Sequence, residues 1–235
     1  MSKTSPVAIV TGVGPGTGAA IARRFAAGEY RVAMLARNRE RLAALEREIA
    51  GSRAYQCDVS DEAQVDSTIE AIRADLGAPK VLIHNAVGGA FGNFLEIDPK
   101  VLNQNFQVNT MALLYLARRV VPAMVAAGEG AIVATGNTSA FRGKAGFAGF
   151  APTKAAQRIL AESMARQVGP KGVHVAYVMI DAVIDLEWTR KRWPEAPDTF
   201  FIKPAAIADE VWHVAHQDRC AWSFNVEIRP SGETW

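Results

Sequence analysis

The regular alternation of short β-branched runs with longer stretches of helical period constrains this chain more than any other feature. "VAIVT" is followed by "TGAAIARRFAAG", and "RVAMLA" by "RERLAALEREIAG". Strands apolar on both faces must be covered on both faces, and a helix between two strands returns the chain in the same direction. The pattern therefore predicts an α/β fold, a doubly wound parallel sheet with helices on both sides. Further strands are expected at "RAYQCDV", "KVLIH", "GAIVATG", "VHVAYVMI" and "SFNVEI", which makes the sheet seven-stranded. Gly28 and Gly51 stand where helices should stop. Asp98 and Pro99 read as a helix cap and first-turn proline, opening a long helix through about Ala126 that Pro122 should kink or end.

The first strand leads into "TGVGPGTGAAIA", which sets Thr11, Gly12, Gly14, Gly16, Thr17 and Gly18 between strand and helix. Glycines there permit a tight turn and let backbone N–H groups and the helix N-terminus approach an anionic pyrophosphate. Pro15 has no N–H to offer, so the other amides of the loop must serve. A Rossmann-type nucleotide site follows. At the end of the second strand a carboxylate would bind a ribose 2′-hydroxyl, whereas arginine would pair with a 2′-phosphate. The sequence there is "LARNRERL": Arg37 and Asn38 occupy the turn, Arg39 and Arg41 follow, and no acid precedes Glu40. NADP(H) is thus expected over NAD(H), with NAD(H) the alternative.

With 235 residues, 49% of them hydrophobic, the chain can bury one large core, and a single domain over 1–235 is expected. Its 26 basic and 24 acidic residues nearly cancel and form no basic block, so nucleic acid is not an expected partner. No apolar run reaches the length of a membrane span or signal peptide, which points away from a membrane. Cys57 and Cys220 lie far apart and read as inert thiols in a reducing cytoplasm. His213 and His216 lack a third ligand, so no metal site is expected; His84 reads as a hydrogen-bonded core residue and His174 as a strand residue.

The spacing T-G-x-x-x-G-x-G, with the motifs that follow it in order, resembles the short-chain dehydrogenase/reductase family over essentially the whole chain. The resemblance implies that Asp58 and Val59 of "CDV" lie beside the adenine, and that "HNAV" keeps Asn85 and Ala86 while His84 and Val87 replace the usual residues. It places Ile184 against the cofactor as well. Asn109 of "VNTMALL" corresponds to the asparagine that interrupts a helix and helps hold a water beside the lysine. Lys154 of "PTKAA" corresponds to the lysine that binds the nicotinamide ribose and lowers the pKa of a tyrosine four residues earlier. Here that position is Phe150, which has no proton to give; losing a positioned general acid costs about 10² to 10⁴ in rate. The family's substrate-binding serine falls on Asn137, whose amide can still donate to an oxyanion, with Thr138 and Ser139 adjacent as possible hydroxyls. The Pro-Gly after the sixth strand becomes Ile180 and Asp181.

Another proton source is open: Lys154 through a water, or Asp181 or Asp185 if an apolar pocket raises its pKa. Tyr30, Tyr55, Tyr115 and Tyr177 are expected in packing roles. Pro152 predicts a helix starting nearby, with Lys154 in its first turn facing the cleft. Residues 186–204 carry Trp188, Trp193, Phe200 and Phe201 and fall where the resemblance puts a substrate lid; the aromatics either suit an apolar or aromatic small molecule or pack the lid onto its own domain. Arg190, Lys191 and Arg192 belong to a solvated turn or meet an acidic substrate. Two readings remain: an NADP(H)-dependent carbonyl/alcohol oxidoreductase with an altered proton relay, and a cofactor-binding protein without turnover. A homodimer or homotetramer is implied by the resemblance alone.

Overall fold

A computed structural model describes residues 5–233; both ends of the expected 1–235 domain lie outside them. Seven parallel strands form one sheet in the order β3-β2-β1-β4-β5-β6-β9. Its strands are β1 (Val7–Thr11), β2 (Arg31–Ala36), β3 (Ser52–Gln56), β4 (Pro79–His84), β5 (Gly130–Gly136), β6 (Val173–Ile180) and β9 (Asn225–Ile228). The order reverses direction between β1 and β4, and at such a switch point the carboxyl ends of two strands open a crevice.

Burial follows the period of the strands. Val7 and Ile9 face one layer, where α3 (Glu62–Leu76), α5 (Ala112–Ala127) and α6 (Ala151–Val168) bury Ile69, Leu116 and Ala161. Ala8 and Val10 face the other, against Phe25 of α1 (Thr17–Ala27), Leu42 of α2 (Arg39–Glu48) and Val211 of α8 (Pro204–Ala215). Each fully buried Leu, Ile or Phe contributes roughly 1.5–3 kcal/mol, so these two layers supply most of the driving force.

The long helix expected from Asp98 is present but divided. Asp98 accepts from Lys100 N and caps α4 (Pro99–Phe106); a π-helical turn at Gln107–Met111 follows, and α5 continues beyond it. Pro122 does not end α5, which runs on to Ala127 and stops at the left-handed Gly128. This correction has a positional cause: α5 leaves part of its surface outside the core, and the missing hydrogen bond falls at an exposed residue, Pro122. The run Pro99–Ala127 is long and apolar enough to cross a bilayer by length and composition, yet Leu113, Leu116 and Val120 are packed on the sheet.

The stretch 186–204 is more ordered than its sequence pattern suggests. β7 (Val183–Ile184) pairs in parallel with β8 (Phe201–Ile202), and α7 (Glu187–Arg192) lies between them.

Candidate active site

The carboxyl ends of β1, β2 and β4 open on a cleft of about 1350 Å³. Gly12, Gly14, Gly16, Thr17 and Gly18 form one wall, Arg37, Asn38 and Arg41 a second, and Asp58, Val59, Asn85 and Ala86 a third. Ile184 of β7 and Leu186, which precedes α7, close the fourth side. Most of the residues read as nucleotide contacts are thus brought together.

The glycine loop is shaped by contact as well as by turn geometry. Gly12 has φ +67°, and a Cβ there would come within 2.5 Å of the Ala86 Cα; at Gly18 it would lie 2.5 Å from the Gly12 carbonyl oxygen. Gly16 caps α1 without a side chain, so the first-turn N–H groups have no side-chain acceptor. Thr17 Oγ1 beside them is buried and, among the described residues, has no hydrogen-bond partner. A phosphate group fits such an end, since it would accept from both the amides and the hydroxyl.

Thr11 is corrected. It does not line the cleft: its fully buried hydroxyl accepts from Asn85 N and Ala86 N, tying β1 to the end of β4. The same hydroxyl lies 3.2 Å from His84 Nδ1. With two amides donating to it, the hydroxyl donates to Nδ1, which assigns the ring proton to Nε2. Nε2 faces the backbone of Val108 and Asn109 without a well-formed hydrogen bond. Burial, and secondarily the Lys154 ammonium, lower the His84 pKa to about 3.

Behind the cleft lies a buried polar layer. Asn109 sits in the π-turn and is wholly buried; its Nδ2 donates to Gly88 O and Thr153 Oγ1, each at 2.8 Å, and its Oδ1 accepts from Gly88 N. The extra residue of a π-turn redirects one side chain out of the helical ladder, and here that side chain holds the 88 loop against α6. Lys154 is in the first turn of α6 as expected, and its amine turns inward, buried between β5 and α6. Nζ donates to Thr135 O at 3.2 Å and to Gln157 Oε1 at 2.9 Å. Burial lowers its pKa to about 7. Thr135 Oγ1 in turn donates to Asn85 Oδ1, and Asn85 Nδ2 to Gly12 O, so three side-chain steps link the amine to the glycine loop.

Phe150 N-caps α6, buried, with the Lys154 amine 5.9 Å from its ring centre. Asn137 Oδ1 accepts from Ser139 N and caps a short turn, which leaves its NH₂ as the donor end. Thr138 donates to Asp181, whereas Ser139 lines a second, apolar cavity of about 530 Å³ with Phe94, Phe141, Phe147 and Ala151. Phe91 packs edge-on against Phe147 and tilted over Phe150, which joins that cavity to the Phe150 ring. Phe94, which lines that cavity, is 78% exposed, and the next residue, Leu95, is 82% exposed.

The idea of Asp185 as a raised-pKa acid is overturned: the Arg190 guanidinium binds both its oxygens and holds its pKa down. Arg190 also donates to Asp198 and stacks on Phe201, so it fastens α7 to the β8 end of its own segment. Sequence reasoning missed Gln157 and Tyr177. Gln157 Nε2 donates to Asn109 O at 2.8 Å, and the buried Tyr177 hydroxyl approaches Gln157 Oε1 at 3.4 Å. The available signal was a glutamine one helical turn past Lys154 on the same face.

The family model for short chain dehydrogenase matches residues 6–193. The chain belongs to the short-chain dehydrogenase family. Like its relatives, this short-chain dehydrogenase is an oxidoreductase by family. It is 31% identical over 189 residues to D-erythrulose reductase of Gallus gallus, covering 80% of this chain and 75% of that protein. Identity is 28% over 191 residues to a 3-oxoacyl-acyl-carrier-protein reductase of Escherichia coli (strain K12), covering 81% and 78%. A metagenomic short-chain oxidoreductase solved in complex with NADP superposes with TM-score 0.84 at 30% identity, over 98% of this short-chain dehydrogenase and 100% of that chain.

Proposed function

We propose that this protein is an NADP(H)-dependent oxidoreductase that interconverts a carbonyl and an alcohol on a small apolar or aromatic molecule, through an altered proton relay. The observation that carries the reading is the buried Lys154 amine, which burial alone holds near neutral pKa with no carboxylate beside it. A bound nicotinamide nucleotide would supply the hydride; its phosphates would be held by the first turn of α1 and Thr17 Oγ1, and its adenosine end by Arg37, Asn38, Asp58 and Val59. The relative solved with NADP supports that choice, as does the absence of an acid at the end of β2.

Reduction also needs one proton at the substrate oxygen. Phe150 stands where the resemblance puts the phenol, and cannot provide it. Lys154 near pKa 7 is an adequate acid at neutral pH, reaching the oxygen through a water in the space a phenolic hydroxyl would fill. The Asn137 NH₂ orients that oxygen, and Phe91, Phe147 and Phe150 form the apolar bed beneath the substrate. The reading includes a single nucleotide-binding domain, the lid at 186–204, and a homodimer or homotetramer.

The inward turn of the Lys154 amine favours the second reading, a nucleotide-binding protein without turnover. NADPH oxidation against a panel of apolar and aromatic ketones, run beside Phe150→Tyr, separates the two. Turnover by the natural protein, raised by about 10² or more in F150Y, is expected; turnover confined to F150Y would leave the binding reading.

A further inference from the structure

Gln157 is a fully buried amide whose two ends are both engaged. Its Oε1 accepts from the Lys154 amine at 2.9 Å and its Nε2 donates to the Asn109 carbonyl at 2.8 Å. That carbonyl belongs to the π-turn, where the helical ladder is interrupted. Tyr177 Oη, from β6, closes the third side at 3.4 Å from Oε1 and 3.5 Å from the Lys154 carbonyl. The space between lysine and π-turn is filled by side chain.

We propose that Gln157 is a positioning residue that fixes the Lys154 amine by a direct amide bridge to the Asn109 carbonyl, and so closes the rear of the site to solvent. The amide has the reach and the polarity for both contacts: its oxygen only accepts and its nitrogen only donates, which matches an amine on one side and a carbonyl on the other. A water in the same place could turn, exchange and pass protons; the amide does none of these. A proton lost by Lys154 must then be replaced from the cleft side. The titratable groups facing the amine are His84 from β4 and Tyr177 from β6, and burial keeps both neutral around pH 7. Among the described residues burial is the cause that shifts Lys154, so the bridge is the main polar support of the ammonium besides Thr135 O.

The inference rests on the proposed reaction only for its consequence in turnover; its test uses the apoprotein. Lysine labelled with carbon-13 at Cε is followed by NMR from pH 5 to 10, with Lys154 assigned from its loss in Lys154→Met. Gln157→Glu should raise the Lys154 titration by about one to three pH units, because it sets a carboxylate against the ammonium. Gln157→Leu should move it downward. An unchanged midpoint in both variants would overturn the proposal, leaving Gln157 a packing residue. Should the variants fold poorly, the natural protein decides alone: the Gln157 side-chain amide protons must exchange with water at least a hundredfold more slowly than those of an exposed glutamine. Exchange at the exposed rate would mean that solvent reaches the bridge, and would also overturn it. Neither readout depends on nucleotide preference or activity.

Discussion

Lys154 makes the stability of the protein depend on pH in a direction that follows from its burial. Its amine titrates near 7 in the folded chain against an ordinary value of 10.5, so between these values the unfolded chain binds more protons. Stability therefore rises as pH goes from 7 towards 10.5, and the full cost of a buried ammonium is felt below 7. Lys154→Met should melt higher than the natural protein at pH 6, with the difference shrinking steadily by pH 10 in thermal unfolding. His84 acts over a lower range. With a folded value near 3 against 6.5, its neutral ring stabilises the fold above pH 6.5, and that contribution is lost as pH falls towards 3. His84→Asn should blunt acid unfolding between those limits, measured by the urea midpoint at pH 4 and pH 7.

The π-turn at Gln107–Met111 is the element on which the buried layer depends. It carries Asn109, whose amide pairs both backbone groups of Gly88 and the Thr153 hydroxyl. Asn109→Ala would take away the side-chain partner of the Gly88 N–H and carbonyl, which are part-buried at the edge of the cleft. Such losses cost about 1–3 kcal/mol per unpaired group. A destabilisation of roughly 3 kcal/mol is expected by urea unfolding, together with faster amide exchange at Gly88; a change below 0.5 kcal/mol would mean that the turn holds without its asparagine. The glycine loop is as exacting. Gly12→Ala would set a Cβ against the Ala86 backbone at a positive φ, so it should displace the 85–88 segment and abolish nucleotide binding in a fluorescence titration.

Across the molecule, the cleft joins elements from both layers and from the β7–α7 segment, so nucleotide binding and global stability are linked. A ligand that binds only the folded state at a hundred times its Kd adds about 2.7 kcal/mol. NADPH should therefore raise the Tm by several degrees, and more than NADH at equal concentration, while Arg37→Glu should abolish that difference. Equal shifts with both nucleotides would remove the assignment of Arg37 to a 2′-phosphate. The segment around α7 adds to this coupling: Leu186 covers Gly16 so closely that a Cβ there would lie 2.8 Å from the leucine side chain, and Arg190 ties the segment together through Asp185 and Asp198.

Periodicity, glycine spacing and cap residues act locally, through backbone sterics and the alternation of faces, and they were enough to determine the parallel sheet with helices on both faces, the glycine loop between its first strand and first helix, and the basic residues after its second strand. Where a buried side chain sends its polar end is decided by partners far off in the chain. Lys154 turns towards Gln157 because β5, β6 and the π-turn surround it, Thr11 serves the β1–β4 junction because Asn85 and Ala86 present their amides to it, and Asp185 loses its proton readily because Arg190 grips it. Helix α5 passes Pro122 for a related reason: tertiary packing of its apolar face outweighs one absent hydrogen bond. Each of these outcomes depends on desolvation and long-range contact, terms that exist only once the layers have closed.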